Sequence, residues 1–375
     1  MPFYNSEFAR KLYCVAVLAF LSGFIPWLHP AAGQDGNAST ISLTINPGRQ
    51  AAVDSANNVW SLPEYGITVR LPAPAPGQPS AGRVQPLAPE NPWQQEILRE
   101  SKSLGFKDSV ACLIIPDGHG NVTFGAEKGL SISFYWNRAN ASPEAFYFDP
   151  WYRTLVPLAA WSNPGENTLE VVLDRAGVVV LAVPGEVRFS DLPDTHWAAP
   201  SIRTLAQKNI IRASQSGEVH PQDQLTRAES ARMAALAGRI PGFRQGEGFR
   251  DIPAGYWGCP YIRSLQAAGA VSGCGGGEFR PEAAASRGEF IKMAVLALNL
   301  RPSSEFKGWP PVPPFSDLPD NHWALPHIRT ALENSLIQGY PDQTLRVDQP
   351  ISRAEAAVIL DRAVSRQGLI PPVSP

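Results

Sequence analysis

The chain has 375 residues and a net charge of −2, with 44% apolar and only 18% charged residues, enough length for two or three domains with real cores. Near-neutrality excludes a global pull toward nucleic acid or anionic lipid. The 37 prolines exclude a long coiled coil and predict many loops, edges and linkers, and no Gly-X-Y period supports a collagen-like rod.

The N-terminus reads Arg10-Lys11, an apolar run from Leu12 to Leu28, then Ala31-Ala32-Gly33. A positive flank, a short apolar core and small residues at its end predict a secretory signal over residues 1–33, cleaved near Ala32 or Gly33; an uncleaved anchor is the alternative. No other segment is apolar enough to cross a bilayer, so no membrane contact is expected after cleavage. Cys14 leaves with the signal. Cys112 lies in a strand-like run and reads as a buried thiol. Cys259 and Cys274 are close in sequence, and in an exported protein they could form a disulfide if their Cα atoms approach.

Residues 38–185 read as a β-rich domain. Ile41–Ile45 and Ile67–Leu71 alternate in polarity, as half-buried strands do. Residues 71–92 are Pro-rich and expected to be extended. Trp93–Leu104 is predicted helical. Strands are expected at Val110–Ile115 and Leu130–Trp136, and as a hairpin joining Leu169–Leu173 to Val178–Val183 through a tight turn. Many short strands with turn signals suggest a β-sandwich.

The second half repeats itself. Phe189-Ser-Asp-Leu-Pro-Asp-Thr-His-Trp197, Phe249-Arg-Asp-Ile-Pro-Ala-Gly-Tyr-Trp257 and Phe315-Ser-Asp-Leu-Pro-Asp-Asn-His-Trp323 open three units. Each has a Pro three residues after its Trp, then Ile-Arg. A second block begins 37 residues after each Phe: Thr226-Arg-Ala-Glu229, Ser286-Arg-Gly-Glu289 and Ser352-Arg-Ala-Glu355. The repeat starts are 60 and 66 residues apart, so the length variation falls between units, in linkers. The Pro suits the first turn of a helix. The Ser/Thr-x-x-Glu block is a capping box that starts a second helix. Each unit is therefore helix, long loop, helix, with Ala-rich faces that need neighbours to complete a core.

These blocks, with Gly339-Tyr340-Pro341-Asp342 in the third unit, resemble the S-layer homology module over residues 189–239, 249–299 and 315–364. The expected architecture is multidomain α+β: a β-sandwich-like region, then an all-α pseudo-trimer around a central helical bundle. The resemblance implies a secreted protein of the cell wall or S-layer. It also implies non-covalent binding of a secondary cell-wall polysaccharide, a peptidoglycan-associated glycan often carrying pyruvylated amino sugar, with S-layer self-assembly a further option. The stretch from Phe146 to Val183 resembles β-modules that precede such repeats in other surface proteins.

Capping accounts for the Ser/Thr and the Glu but not for Arg227, Arg287 and Arg353. A cation at a helix N-terminus opposes the macrodipole, whereas a positive helix end plus a guanidinium fork suits a carboxylate, either that of a ligand or that of a neighbouring residue. Arg353 of the best-preserved unit is expected to matter most. Asp191, Asp251 and Asp317 could accept sugar hydroxyls or cap a turn. Trp197, Trp257 and Trp323 could offer flat faces to a pyranose or fill the core, and Tyr340 lies in the best-kept turn. The first unit replaces that turn with Arg212-Ala-Ser-Gln215, and the second has Gly288 and a glycine cluster, so one or two working grooves are expected rather than three.

Enzyme signatures are missing: the sequence has no Gly-x-Ser-x-Gly, no His-Glu-x-x-His and no phosphate-binding glycine loop. No cofactor or metal motif is present. A non-catalytic surface protein is the first expectation. The alternative is a wall-anchored glycan hydrolase with its chemistry in residues 38–185, which would need two carboxylates about 5–10 Å apart.

Overall fold

The structure, a computed structural model, describes residues 52–54, 59–62, 67–70, 83–86, 92–104, 108–115, 130–136, 143–149, 152–163, 168–173, 177–240, 242, 248–300 and 315–367. The expected signal, the strand at 41–45, most of the Pro-rich stretch and the turn after Leu173 lie outside these residues. The strands are β1 (Ala52–Asp54), β2 (Val59–Leu62), β3 (Ile67–Arg70), β4 (Arg83–Pro86), β5 (Asp108–Ile115), β6 (Leu130–Trp136), β7 (Glu144–Asp149), β8 (Thr154–Pro157), β9 (Ala159–Asn163), β10 (Thr168–Leu173) and β11 (Gly177–Val183). The helices are α1 (Pro92–Ser103), α2 (Ala199–Gln207), α3 (Arg227–Ala237), α4 (Cys259–Ala267), α5 (Arg287–Ala297), α6 (Leu325–Glu333) and α7 (Arg353–Gln367). The architecture is mixed α+β. None of the described helices is long and apolar enough to cross a membrane.

The chain divides into two compact units. The first gathers residues 1–88, 111–138 and 163–179. It contains an antiparallel run in which β1 pairs with β2, β2 with β3, β3 with β6 and β6 with β10. Part of the Pro-rich stretch is β4, paired with β5. The hairpin expected between Leu169–Leu173 and Val178–Val183 is not formed. β10 pairs along its whole length with β6, Leu169 opposite the buried Phe134, and β11 belongs to the other sheet. β11 is apolar along its length and β10 is so apart from Thr168 and Glu170, and such runs do not say which neighbour a strand takes.

The second unit gathers residues 89–110, 139–162 and 180–375. Its hairpin β7–β8 sets Phe146 opposite Pro157 and Asp149 opposite Thr154. The three repeats follow, each a helix, a loop and a helix. Pro200, Pro260 and Pro326 sit in the first turns of α2, α4 and α6, where their missing N–H costs nothing. Ile202, Leu205, Ile262, Leu265, Ile328 and Ala331 recur at helical spacing and are buried. Capping boxes open α3 and α5. At α7 the same reciprocal bonds join Ser352 and Glu355 at 3.0 and 3.2 Å.

Backbone bonds close the repeats into a ring. Leu225 donates to Ile351, Ile351 to Ala285 and Ala285 to Leu225, at 2.9–3.0 Å. The first two amides of each second helix also find carbonyls in the following repeat's loop. Arg227 and Ala228 donate to Ala283 and Pro281, Arg287 and Gly288 to Gln349 and Val347, and Arg353 and Ala354 to Asp223 and Pro221. Amides that a helix cannot satisfy internally thus become links between repeats.

Candidate functional site

One aspartate shapes each repeat's loop. Asp191 accepts from the amides of Val219 and His220, Asp251 from Phe279 and Arg280, and Asp317 from Leu345 and Arg346, at 2.6–2.9 Å. His220, Arg280 and Arg346 have positive φ, a conformation that L-residues adopt reluctantly, and the carboxylate holds each turn there. Desolvation pushes Asp191 and Asp251 up, but the backbone amides outweigh it and lower both below the ordinary value. Of the two roles open to these residues, turn-holding is the one the structure shows.

The arginines are paired, each with the capping glutamate of another repeat. Arg227 bonds Glu289, Arg287 lies 3.7 Å from Glu355, and Arg353 donates to Glu229 at 2.7 Å. An internal acid thus already lies beside each cation at these helix ends. The three are unequal. Arg227 is 4% exposed and also donates to the carbonyls of Phe279 and Ser272, so each of its three guanidinium nitrogens already has a partner inside the fold. Arg353 keeps its single strong pair. The Arg287 side chain, 7% exposed, makes no hydrogen bond among the described residues; its Nε, like that of Arg353, is unpartnered, and 3.7 Å is long for a charge-assisted bond.

Arg287 lines a groove of about 560 Å³ between the second and third repeats. Opposite it, the turn of the third repeat supplies Tyr340, whose hydroxyl donates to Glu355. The Arg346 guanidinium lies 3.9 Å above the Tyr340 ring and that of Arg287 lies 5.4 Å away. Burial and the Glu355 bond both raise the Tyr340 hydroxyl. Glu355 is lowered although desolvation opposes it, because Tyr340, Ser352 and Arg287 stabilise its charge. Asp342 is held at about 2 by Thr344 and Arg346. The walls thus carry Arg287 and Arg346 against Asp317, Asp342, Asp348 and Glu355: a polar, mixed-charge groove with many hydroxyl acceptors. A second hollow of about 330 Å³ shares Asp348 and Pro350 and reaches Trp323.

Arg353 and Tyr340 lie in the same unit of the sequence but do not share a groove. A groove takes its Arg from one repeat and its turn from the next, so Tyr340 meets Arg287. Where Tyr340 stands, the first and second repeats have Ser214 and Cys274. Trp197, Trp257 and Trp323 are 59%, 49% and 51% exposed and not core; each leans on the ring before it, His196, Tyr256 or His322, at 5.5–5.7 Å. Cys259 and Cys274 are both free thiols, so the disulfide is not formed. Cys259 is buried in the first turn of α4, and Cys274 donates weakly to Phe279.

Comparison with known proteins finds the same three repeats. The model of the S-layer homology domain matches residues 188–231, 248–291 and 314–357. The chain is 28% identical to "S-layer protein sap" of Bacillus anthracis, over 52% of this chain and 23% of that protein. It is 31% identical to "Cellulosome-anchoring protein" of Acetivibrio thermocellus, over 38% of this chain and 32% of that protein. A third relative, "Exoglucanase XynX" of Acetivibrio thermocellus, is 25% identical over 54% of this chain and 19% of its own length. The chain thus spans less than a third of each of these relatives. The shared region supports cell-surface anchoring and a secreted location at the cell wall or S-layer. The second half of this chain is three tandem S-layer homology domains.

Proposed function

We propose that the chain is a surface anchor whose repeats hold a secondary cell-wall polysaccharide, and that the groove between the second and third repeats is its main saccharide site. One observation carries the reading: Arg287 is the least committed of three equivalent guanidinium groups, and it lies at a helix N-terminus on the wall of an open, polar groove. A ketal-linked pyruvate would bring a carboxylate to that end of α5, where amides and guanidinium both favour an anion. Asp342, Asp348 and Glu355 would accept sugar hydroxyls. The N-terminal strands would form a β-sandwich-like display module without catalytic work of its own.

The test is co-sedimentation of the full chain with purified wall sacculi, before and after extraction of the secondary polymer and after mild-acid removal of ketal pyruvate. Binding is expected to disappear with the polymer and to weaken with loss of pyruvate. Arg287→Ala should cost about 1.5–3 kcal/mol of affinity, the range for a charge-assisted bond. Equal binding to intact and stripped walls sinks the reading.

A further inference from the structure

The three repeats differ at the end of their first helix. The first carries Lys208, Asn209 and Arg212; the second has Ala268, Gly269 and Ser272 there, and the third Asn334, Ser335 and Gln338. In the first repeat all three side chains reach segments that precede the repeats. Lys208 grips Glu144 at 2.8 and 2.9 Å. Asn209, fully buried at positive φ, donates to the Leu155 carbonyl at 2.6 Å and to Thr154 at 3.0 Å. Arg212 donates to Thr154 at 2.8 Å and bonds Glu100 of α1. Beside them Tyr152 stacks on Tyr261 at 4.3 Å and donates to the Ile240 carbonyl, and Tyr152 and Val156 belong to the same buried core as the repeat helices.

We infer that the first repeat is a coupling repeat: the end of its first helix is committed to a binding surface for residues 92–103 and 144–157 of this chain, and not to glycan. The missing Gly-Tyr-Pro-Asp turn and the Lys-Asn-x-x-Arg set are then two sides of one specialisation. The anchoring domain begins before its first repeat, and load from the wall enters residues 92–103 and 144–157 through a packed seam.

The experiment grafts the second repeat's residues onto the first in the full chain, Lys208→Ala with Asn209→Gly and Arg212→Ser, a set that already supports a repeat fold. Amide hydrogen exchange in 144–157 and 92–103 should accelerate about tenfold or more as the seam opens locally. Protection in α3, α5 and α7 should persist, and wall binding should stay within about twofold of the parent's, a change under about 0.5 kcal/mol. Should the graft not fold, Glu100→Gln with Thr154→Val tests the seam from its other side. Unchanged protection of 144–157, or lost wall binding with the helices still protected, overturns the inference. Its second half rests on the anchoring proposal. A parent chain that does not bind walls would sink that proposal and leave the exchange result to decide the seam alone.

Discussion

At the level of single residues, the carboxylates that look available for sugar are mostly at work inside the fold. Asp191 and Asp251 lie below their ordinary value, and so do Glu229 and Glu355. A carboxylate depressed in the folded state stabilises it fully above the unfolded value, and that contribution disappears as pH falls through the folded value. Thermal stability should therefore be flat near neutrality and decline once pH drops below about 4.5, the reference value for a free glutamate. Asp191→Asn with Asp251→Asn should reduce that acid sensitivity. Each substitution should also cost about 1 kcal/mol at pH 7, because an amide offers one acceptor where two backbone N–H groups converge. Melting curves from pH 3 to 7 decide it, and an unaltered acid slope in the double variant would refute the assignment. The recurrence of Phe-x-Asp was plain in the sequence, but its purpose was not. The amides it serves lie 28 and 29 residues downstream, at a distance no local pattern reveals.

At the level of elements, the helices could be read from the sequence because their signals are local: a proline in the first turn, a Ser/Thr-x-x-Glu box and apolar residues at helical spacing. What packs on each helix end could not. Gly288 shows why. Its counterparts are Ala228 and Ala354, so glycine looks like a defect in a helix, where it costs about 1 kcal/mol relative to Ala. The structure explains it through the opposite wall. Ala228 faces Pro281 and Ala354 faces Pro221, whereas Gly288 faces Val347. A Cβ on Gly288 would sit 2.7 Å from Val347 Cγ2 and 3.2 Å from its carbonyl oxygen. Gly288→Ala should thus destabilise by about 1–2 kcal/mol despite the gain in helix propensity. Adding Val347→Pro, the residue both other repeats use, should recover most of the loss. Denaturant titration of the two single variants and the double closes the cycle; additive effects would contradict the pairing.

At the level of the whole molecule, three imperfect copies behave as one body because every link crosses between repeats. The capping glutamate of each second helix serves its own helix end and also holds an arginine from another repeat. In the sequence the Arg stands two residues before the Glu, open to a neighbouring carboxylate or to a ligand. Ring closure redirects both. It follows that a break at one link should be felt by all three repeats. Removing one partner of a buried ion pair leaves the other charge desolvated and unpaired, so Arg227→Ala should cost about 3 kcal/mol. Arg353 is more open, at 18% side-chain exposure with one bond, and Arg353→Ala should cost about 1 kcal/mol. If the ring is one cooperative unit, α3, α5 and α7 lose hydrogen-exchange protection together in Arg227→Ala, and calorimetry shows the repeats melting in a single, lower transition. If only α3 and its neighbour loosened while α7 kept parental protection, the repeats would be a chain of separable units and the closed ring of backbone bonds would not govern stability. Wall binding adds an orthogonal reading. Arg227 is buried with all three nitrogens engaged inside the fold, so at temperatures where the variant is folded it should sediment with sacculi like the parent, while Arg287→Ala should not.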